Sequence, residues 1–152
     1  MSDYIAYAAM ITYFGTRADA ALFVAASSTI QTDSLHFATV AINNLPLKGW
    51  KCNPETQDNQ FPRYIPLARG GYMGDGVTVP QAVKDACCEE GLEIFTHGAD
   101  KRLVLQNQHV ASMRLGDLSE SYALPEDVPA LTARRARDLM APFIARGGVP
   151  LA

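Results

Sequence analysis

The stretch from Leu45 to Pro80 limits the fold more than any other part of this chain. Two helical patterns flank it, and Gly49-Trp50-Lys51, Asn53-Pro54, Gln60-Phe61-Pro62-Arg63, Gly70-Gly71, Gly74-Asp75-Gly76 and Val79-Pro80 punctuate it. From Lys51 to Thr78 it reads as loop. Connections in compact domains usually run to about 4–6 residues, so one this long is either functional or held in place by its neighbours. Trp50, the only tryptophan, is expected to pack its ring under the loop while the indole N–H finds a carbonyl. Phe61 precedes a proline and is expected to be extended. Arg63 offers a planar five-donor fork that can tie loop carbonyls together. Trp50, Phe61, Pro62, Arg63 and Pro80 are therefore the expected loop anchors. The glycines do not make a phosphate loop, because no strand runs into them and no Gly-Lys-Ser/Thr closes them.

With 152 residues, the chain fits one domain that buries roughly 68–70% of its unfolded surface. The three cysteines, Cys52, Cys87 and Cys88, are odd in number, which argues against a disulfide framework and for folding in a reducing compartment. Net charge is −3, which gives no electrostatic sign of nucleic acid. The charge is unevenly placed, however: residues 131–152 hold four basic groups and one acidic, a positive patch on an acidic body suited to an acidic partner. No apolar run approaches the ~20 residues that span a bilayer. The apolar start has no positive region before it, so it is a poor signal peptide and synthesis in the cytoplasm is the expectation.

Residues 4–14, rich in Tyr, Ile and Phe, read as a short strand or extended arm. Thr16-Arg17-Ala18-Asp19 has the form of a helix cap, and Ala18, Ala21, Leu22 and Ala25 follow at helical spacing. Gln31-Thr32-Asp33-Ser34 caps a second helix, whose stripe is Leu35, Ala38, Ala41, Ile42 and Leu45 and which stops near Pro46. A third helix begins at Val79-Pro80 with Thr78 as cap and runs to His97-Gly98. Its Gly91, which costs about 1 kcal/mol relative to alanine, is expected to admit a close backbone neighbour. Asp85, Glu89 and Glu93 form an acidic stripe that could hold a divalent cation, the basis of a third reading as a small metal-dependent enzyme, but it reads rather as a solvated face or a surface for a basic partner. Ala111 to Tyr122 alternates about Gly116-Asp117 as a β-hairpin, pairing Leu115 with Leu118, Met113 with Glu120 and Ala111 with Tyr122. An isolated hairpin is marginal in water, so it should dock on helices or on another subunit. After a stiff Pro125–Pro129 linker, Leu131-Thr132 opens a last helix with Ala136, Leu139, Met140, Phe143 and Ile144 opposite Arg134, Arg135 and Arg137, ended or kinked at Pro142. The tail from Arg146 has no core-forming pattern. The sum is a mainly α fold: a small bundle of about four helices with a β-hairpin and a long loop over 1–146, and an extended tail over 147–152.

No catalytic constellation emerges. His36, His97 and His109 lie on different elements and make no metal-ligand spacing with a cysteine. Ser27-Ser28 and Ser119 lack the glycines of a nucleophile elbow. The reading is a protein that is not an enzyme and needs no cofactor or metal. Tyr13, Phe14, Trp50, Phe61, Tyr64 and Tyr72 can stack bases, but too few Lys and Arg residues lie among them to neutralise a backbone.

The ordered set Thr16-x-x-Asp19-Ala20, Leu35-x-x-Ala38-Thr39-x-x-Ile42, Gly49-Trp50-Lys51, Gln60-Phe61-Pro62-Arg63, Val79-Pro80-x-x-Val83-x-x-Ala86, Leu115-Gly116-Asp117-Leu118-Ser119-x-Ser121-Tyr122 and Leu139-x-x-Pro142 resembles the tailed-phage head–tail connector adaptor proteins over residues 11–146. Some members of that group are labelled DnaT-like single-stranded-DNA-binding proteins. The resemblance implies a structural virion protein, made in the host cytoplasm, that forms a homo-oligomeric ring of about twelve copies. The ring would sit under the portal protein, join it to a downstream neck, head-closure or tail protein, and continue the channel for passing DNA without sequence-specific binding. Membrane contact is not implied. Candidate portal-docking residues are Arg134, Arg135, Arg137, Phe143, Arg146, Val149 and Leu151. Candidate inter-subunit or downstream contacts are Met113, Leu115, Leu118, Tyr122 and Tyr72. The alternative is a replication-associated binder of single-stranded DNA, using the aromatic residues with Arg134, Arg135 and Arg137.

Overall fold

The computed structural model describes residues 3–15, 17–97, 112–115, 118–121 and 131–145. Among them are helices α1 (Tyr7–Phe14), α2 (Ala21–Ala25), α3 (Ser28–Asn43), α4 (Gln81–His97) and α5 (Arg134–Met140), with a 3₁₀ turn at Ala18–Ala20 before α2. A three-stranded antiparallel sheet, β1 (Trp50–Lys51), β2 (Arg63–Pro66) and β3 (Tyr72–Asp75), lies between α3 and α4 with β2 in the middle. A second pair, β4 (Ser112–Leu115) and β5 (Leu118–Ser121), is the expected hairpin. It matches Leu115 to Leu118 and Met113 to Glu120, as the sequence pattern requires. The mainly α class with a β-hairpin holds.

Helix α4 is the axis of the molecule, packed on α3 along one side and on α5 along another. Its Val83, Ala86 and Cys87 are fully buried, as are Leu35, Ala38 and Ile42 of α3 and Ala136 and Met140 of α5. A methyl group on Gly91 would lie 3.3 Å from Leu35 Cδ2 and 3.6 Å from the Ser34 carbonyl, so the glycine serves the close α3–α4 approach expected of it. Two aromatic strings fill the rest of the core. Phe14, Phe23 and Phe95 follow one another at centroid distances of 5.5 and 5.1 Å. Phe61 sits edge-on between Tyr4 (5.9 Å) and Phe143 (5.6 Å), so a loop residue joins the segment before α1 to the segment after α5. Such pairs contribute about 0.5–1.5 kcal/mol each beyond the area they bury.

Several expectations are corrected. Residues 7–14 form helix α1, not a strand or an arm. Its side chains Met10 and Phe14 are buried against the bundle, and that tertiary burial overrides the β preference of Ile11 to Phe14. The next helix is shorter than the pattern suggests: Ala18–Ala20 is 3₁₀ and α2 ends at Ala25. Helix α3 begins at Ser28, earlier than the Gln31–Ser34 cluster, because the Ser27 hydroxyl accepts from Ile30 N at 3.4 Å and caps it. Gln31 and Ser34 are then interior, with the Gln31 amide donating to the Phe23 and Val24 carbonyls. Helix α4 begins at Gln81, with the Pro80 carbonyl accepting its first hydrogen bonds from Val83 N and Lys84 N, while the Thr78 hydroxyl donates to Asp75. Helix α5 starts at Arg134, later than Leu131-Thr132, and ends before Pro142. Thr16, His109, the Ala111–Tyr122 pair, the Gly116-Asp117 turn, the Pro125–Pro129 linker and the tail from Arg146 lie outside the described residues. No helix among the described residues is long and apolar enough to cross a membrane.

The largest correction concerns the stretch from Lys51 to Thr78, which holds the three-stranded sheet rather than being structureless. Arg63 performs its expected role. Its guanidinium donates to the carbonyls of Lys48 (2.9 Å), Gly49 (2.6 Å) and Leu47 (3.4 Å), and to Gln60 Oε1 (2.6 Å). The Tyr4 hydroxyl accepts from Gln60 N and Phe61 N while bonding Asn43 Oδ1, and its burial pushes its pKa up to about 12. Phe61 leads into Pro62 through a cis peptide bond.

Candidate nucleic-acid interface

Side chains alternate across a strand, and β2 obeys the rule: Arg63 and Ile65 point into the body, while Tyr64 stays half-exposed. Trp50 is the direct partner of Tyr64 on β1. On the other side the register slips between Ile65 and Pro66, so that Tyr72 rather than Met73 stands opposite Pro66. A bulge re-aims side chains in this way, and here it brings Tyr72 to the face that carries Tyr64. The three rings form a row, with centroids 6.2 Å apart for Trp50–Tyr64 and 6.0 Å for Tyr64–Tyr72. Trp50 is 56% exposed and Tyr72 63%. Trp50 therefore does not pack under a loop as its sequence context suggests. Arg63 behind the sheet holds the Gly49 carbonyl and leaves the indole facing outward.

Gly76 is buried and closes one side of the Tyr64 ring; at φ +72° it can have no side chain, since a Cβ would lie 2.4 Å from the ring. The Cys52 thiol neighbours the Tyr64 hydroxyl and raises its pKa, with Tyr72 and Asp75 adding to the effect. Asp75 turns its carboxylate onto its own turn, accepting from Val77 N, Thr78 N and the Thr78 hydroxyl at 2.8–2.9 Å, which hold its pKa below the usual range. Lys48 and Arg69 are exposed near the two ends of the row, one before β1 and one in the β2–β3 turn. The segment from Leu45 to Pro80 holds four basic residues against three acidic, in a chain of net charge −3.

The remaining aromatic candidates are not available for stacking. Phe14 and Phe61 are core residues at 1% and 2% exposure. Tyr13 donates its hydroxyl to Glu89 at 2.7 Å, and burial together with that carboxylate raises its pKa. The acidic stripe is divided among internal partners and is not a uniform solvated face. Asp85 accepts from Gln81 at 2.8 Å, Glu89 is buried against Arg17 at 2.5 Å, and Glu93 meets His97 at 3.0 Å. Among the described residues no three His, Cys, Asp or Glu side chains gather to hold a metal. His36 is exposed and lies 3.3 Å from Asp3.

Of the candidate portal-docking residues, Arg134, Arg135 and Arg137 are exposed on α5, but Phe143 is 4% exposed and belongs to the core. Arg135 leans on Asp19 at 3.4 Å and faces an open cleft of about 870 Å³, which Tyr13, Arg17, Asp19, Glu89 and Asp138 also line. Arg17 holds both Asp19 and Glu89 there, which raises its own pKa and lowers that of Asp19. Arg146, Val149, Leu151 and Tyr122 lie outside the described residues. Met113, Leu115 and Leu118 take their places in the hairpin register. Reasoning from sequence did not find the Trp50–Tyr64–Tyr72 row as a unit. The Trp50-Lys51 and Arg63–Pro66 alternation was the available signal, but strands as short as β1 carry almost no period.

No curated protein and no solved structure matches the chain. A family model described as "Putative DnaT-like ssDNA binding protein" matches residues 3–151, nearly the whole length, and the chain belongs to that family.

Proposed function

We propose that this protein binds single-stranded DNA by stacking bases on the Trp50, Tyr64 and Tyr72 face of its small sheet, as a binding module rather than an enzyme. The observation that carries the reading is the row of three rings, two of them more than half exposed, on a sheet face that the bundle does not cover. Base–aromatic stacking contributes about 1–3 kcal/mol per base and tolerates any sequence. The family description supports the same reading. Because the overall charge is negative, stacking rather than bulk electrostatics supplies most of the affinity. The test uses the single tryptophan as its own reporter. Titrating oligo-dT at low salt should quench Trp50 fluorescence with a Kd in the micromolar range or weaker, the scale of non-specific binding, about 10⁻⁴–10⁻⁶ M. Tyr72→Ala should weaken binding by roughly tenfold or more. Absence of quenching and of a mobility shift at about 100 µM protein, the weak end of that scale, would remove the reading.

A second reading, a structural ring adaptor at the virion head–tail interface, rests on a different feature. Leu22, Ile30, Phe37 and Val40 leave an apolar stripe exposed on α2 and α3, the kind of surface that neighbouring copies cover in a closed ring. In that reading the partners are copies of the chain, the portal protein and a downstream neck or tail protein. The exposed arginines of α5 and the tail are the portal-docking elements, and the hairpin with Tyr72 makes the inter-subunit or downstream contacts. Light scattering and negative-stain images of the protein with its portal test it; a monomer that adds nothing to the portal refutes it.

A further inference from the structure

Among the described residues the exposed arginines of α5 differ in their partners, and the difference points to a path. Arg17 and Arg135 spend their charge within the Asp19–Glu89 cleft. Arg134, Arg137, Lys48 and Arg69 have no carboxylate partner among the described residues. Arg134 and Arg137 are three apart on α5 and so share one of its faces. The C-terminal end of α5 is stitched to the segment that enters β1. Lys48 N donates to the Phe143 carbonyl at 2.8 Å, Ala145 N to Pro46 at 2.7 Å, and Leu47 bridges Ile144. Lys48 Nζ rests on the Pro142 carbonyl at 2.8 Å, which orients the ammonium without neutralising it. At about 1.5 Å rise per residue, Arg137 stands roughly 4–5 Å before Met140, the last residue of α5, and Pro142 follows two residues later. Trp50 is two residues, at most about 7 Å, beyond Lys48.

We propose that Arg134, Arg137 and Lys48 form a phosphate track that leads a single strand of DNA from α5 onto the Trp50–Tyr64–Tyr72 row. The proposal rests on the single-strand reading above and adds where the backbone runs and which charges meet it. Uncompensated exposed guanidiniums suit phosphate, since they are always charged and can bind it with two parallel hydrogen bonds. Arg135, one position away, is excluded because Asp19 already holds it.

The track is tested by the salt dependence of oligo-dT binding, read through Trp50 quenching. Each phosphate that is no longer neutralised should flatten the slope of log K against log salt concentration by about 0.7 for single strands. The triple variant Arg134→Gln/Arg137→Gln/Lys48→Gln should therefore reduce the slope by about 2, with the same quench at saturation. Arg135→Gln should leave the slope unchanged, and Tyr72→Ala should weaken binding at an unchanged slope. If the unaltered protein does not bind, both the stacking reading and the track fall. If it binds and the triple variant keeps the full slope, or Arg135→Gln flattens it as much, the track alone is overturned.

Discussion

Glu90 offers the sharpest test of how this fold is held. Only 2% exposed, its carboxylate takes Thr132 N (2.9 Å) and the Thr132 hydroxyl (2.7 Å) on one oxygen and Ala133 N (2.9 Å) on the other. It thus caps α5 from another helix, in place of a local side chain, since Ala133 at the cap position has nothing to offer. Glu90→Gln keeps the shape but turns one acceptor into a donor. Whichever way the amide is set, a backbone N–H of Thr132 or Ala133 meets an NH₂ group. A buried donor left without an acceptor costs about 1–3 kcal/mol, and hydrogen bonds to a charged group are worth about 1.5–3 kcal/mol. Relief from burying the charge offsets part of this, so a net loss of about 2 kcal/mol is expected for Gln. Alanine, which adds a cavity, should lose about 3–4 kcal/mol. Thr132→Ala should lose only about 1 kcal/mol, because the backbone hydrogen bonds survive. Urea unfolding followed by far-UV circular dichroism gives these differences from the midpoint at constant m. Amide exchange over residues 136–140 should speed up in step. A Glu90→Gln protein within about 0.5 kcal/mol of the parent, the scatter of ordinary surface changes, would show that the carboxylate's charge is not what seats α5.

Further tests follow from individual residues. Gly49→Ala should abolish folding or lose more than about 4 kcal/mol, because at φ +71° a Cβ would lie 1.9 Å from the Tyr64 carbonyl oxygen; a soluble, native-like variant refutes the strand geometry. Phe61→Ala should lose about 3–5 kcal/mol, read from the urea midpoint, as the ring between Tyr4 and Phe143 is removed. Stability should also fall at high pH. Burial pushes the Cys87 thiol up to about 12, whereas an unfolded thiol titrates near ~8.5. The stabilisation is therefore complete below the unfolded value and is lost as pH rises from there towards 12. Cys87→Ala should flatten that alkaline slope in urea titrations. In the native protein a thiol reagent should modify half-exposed Cys52 and leave buried Cys87 and Cys88 until urea unfolds the chain; three fast-reacting thiols would contradict the packing.

What could be read from the residues alone divides by range. Helices α3, α4 and α5 announce themselves because each has a periodic apolar stripe, and the β4–β5 register follows from strict alternation around one turn. Gly91 and Arg63 also declare their roles, one by its cost within a helix and the other by its donor geometry. The misreadings share one cause: the deciding partner is distant in sequence. Tyr4 and Phe14 have β character locally, yet α1 forms because the bundle takes up Met10 and Phe14. Glu89 resembles a surface acid because nothing near it in the sequence points to Arg17. The aromatic row needs a two-residue strand and a one-residue slip, neither of which leaves a repeating pattern.

The position of Phe61 bears on how the polypeptide matures during synthesis. Its ring lies between a residue from the start of the chain and one close to the last described residue. On a ribosome, translation of the first hundred residues would still leave that side of the core open. The aromatic sheet would then hang from an unfinished body until Phe143 emerges, so full rigidity arrives late and all at once rather than helix by helix.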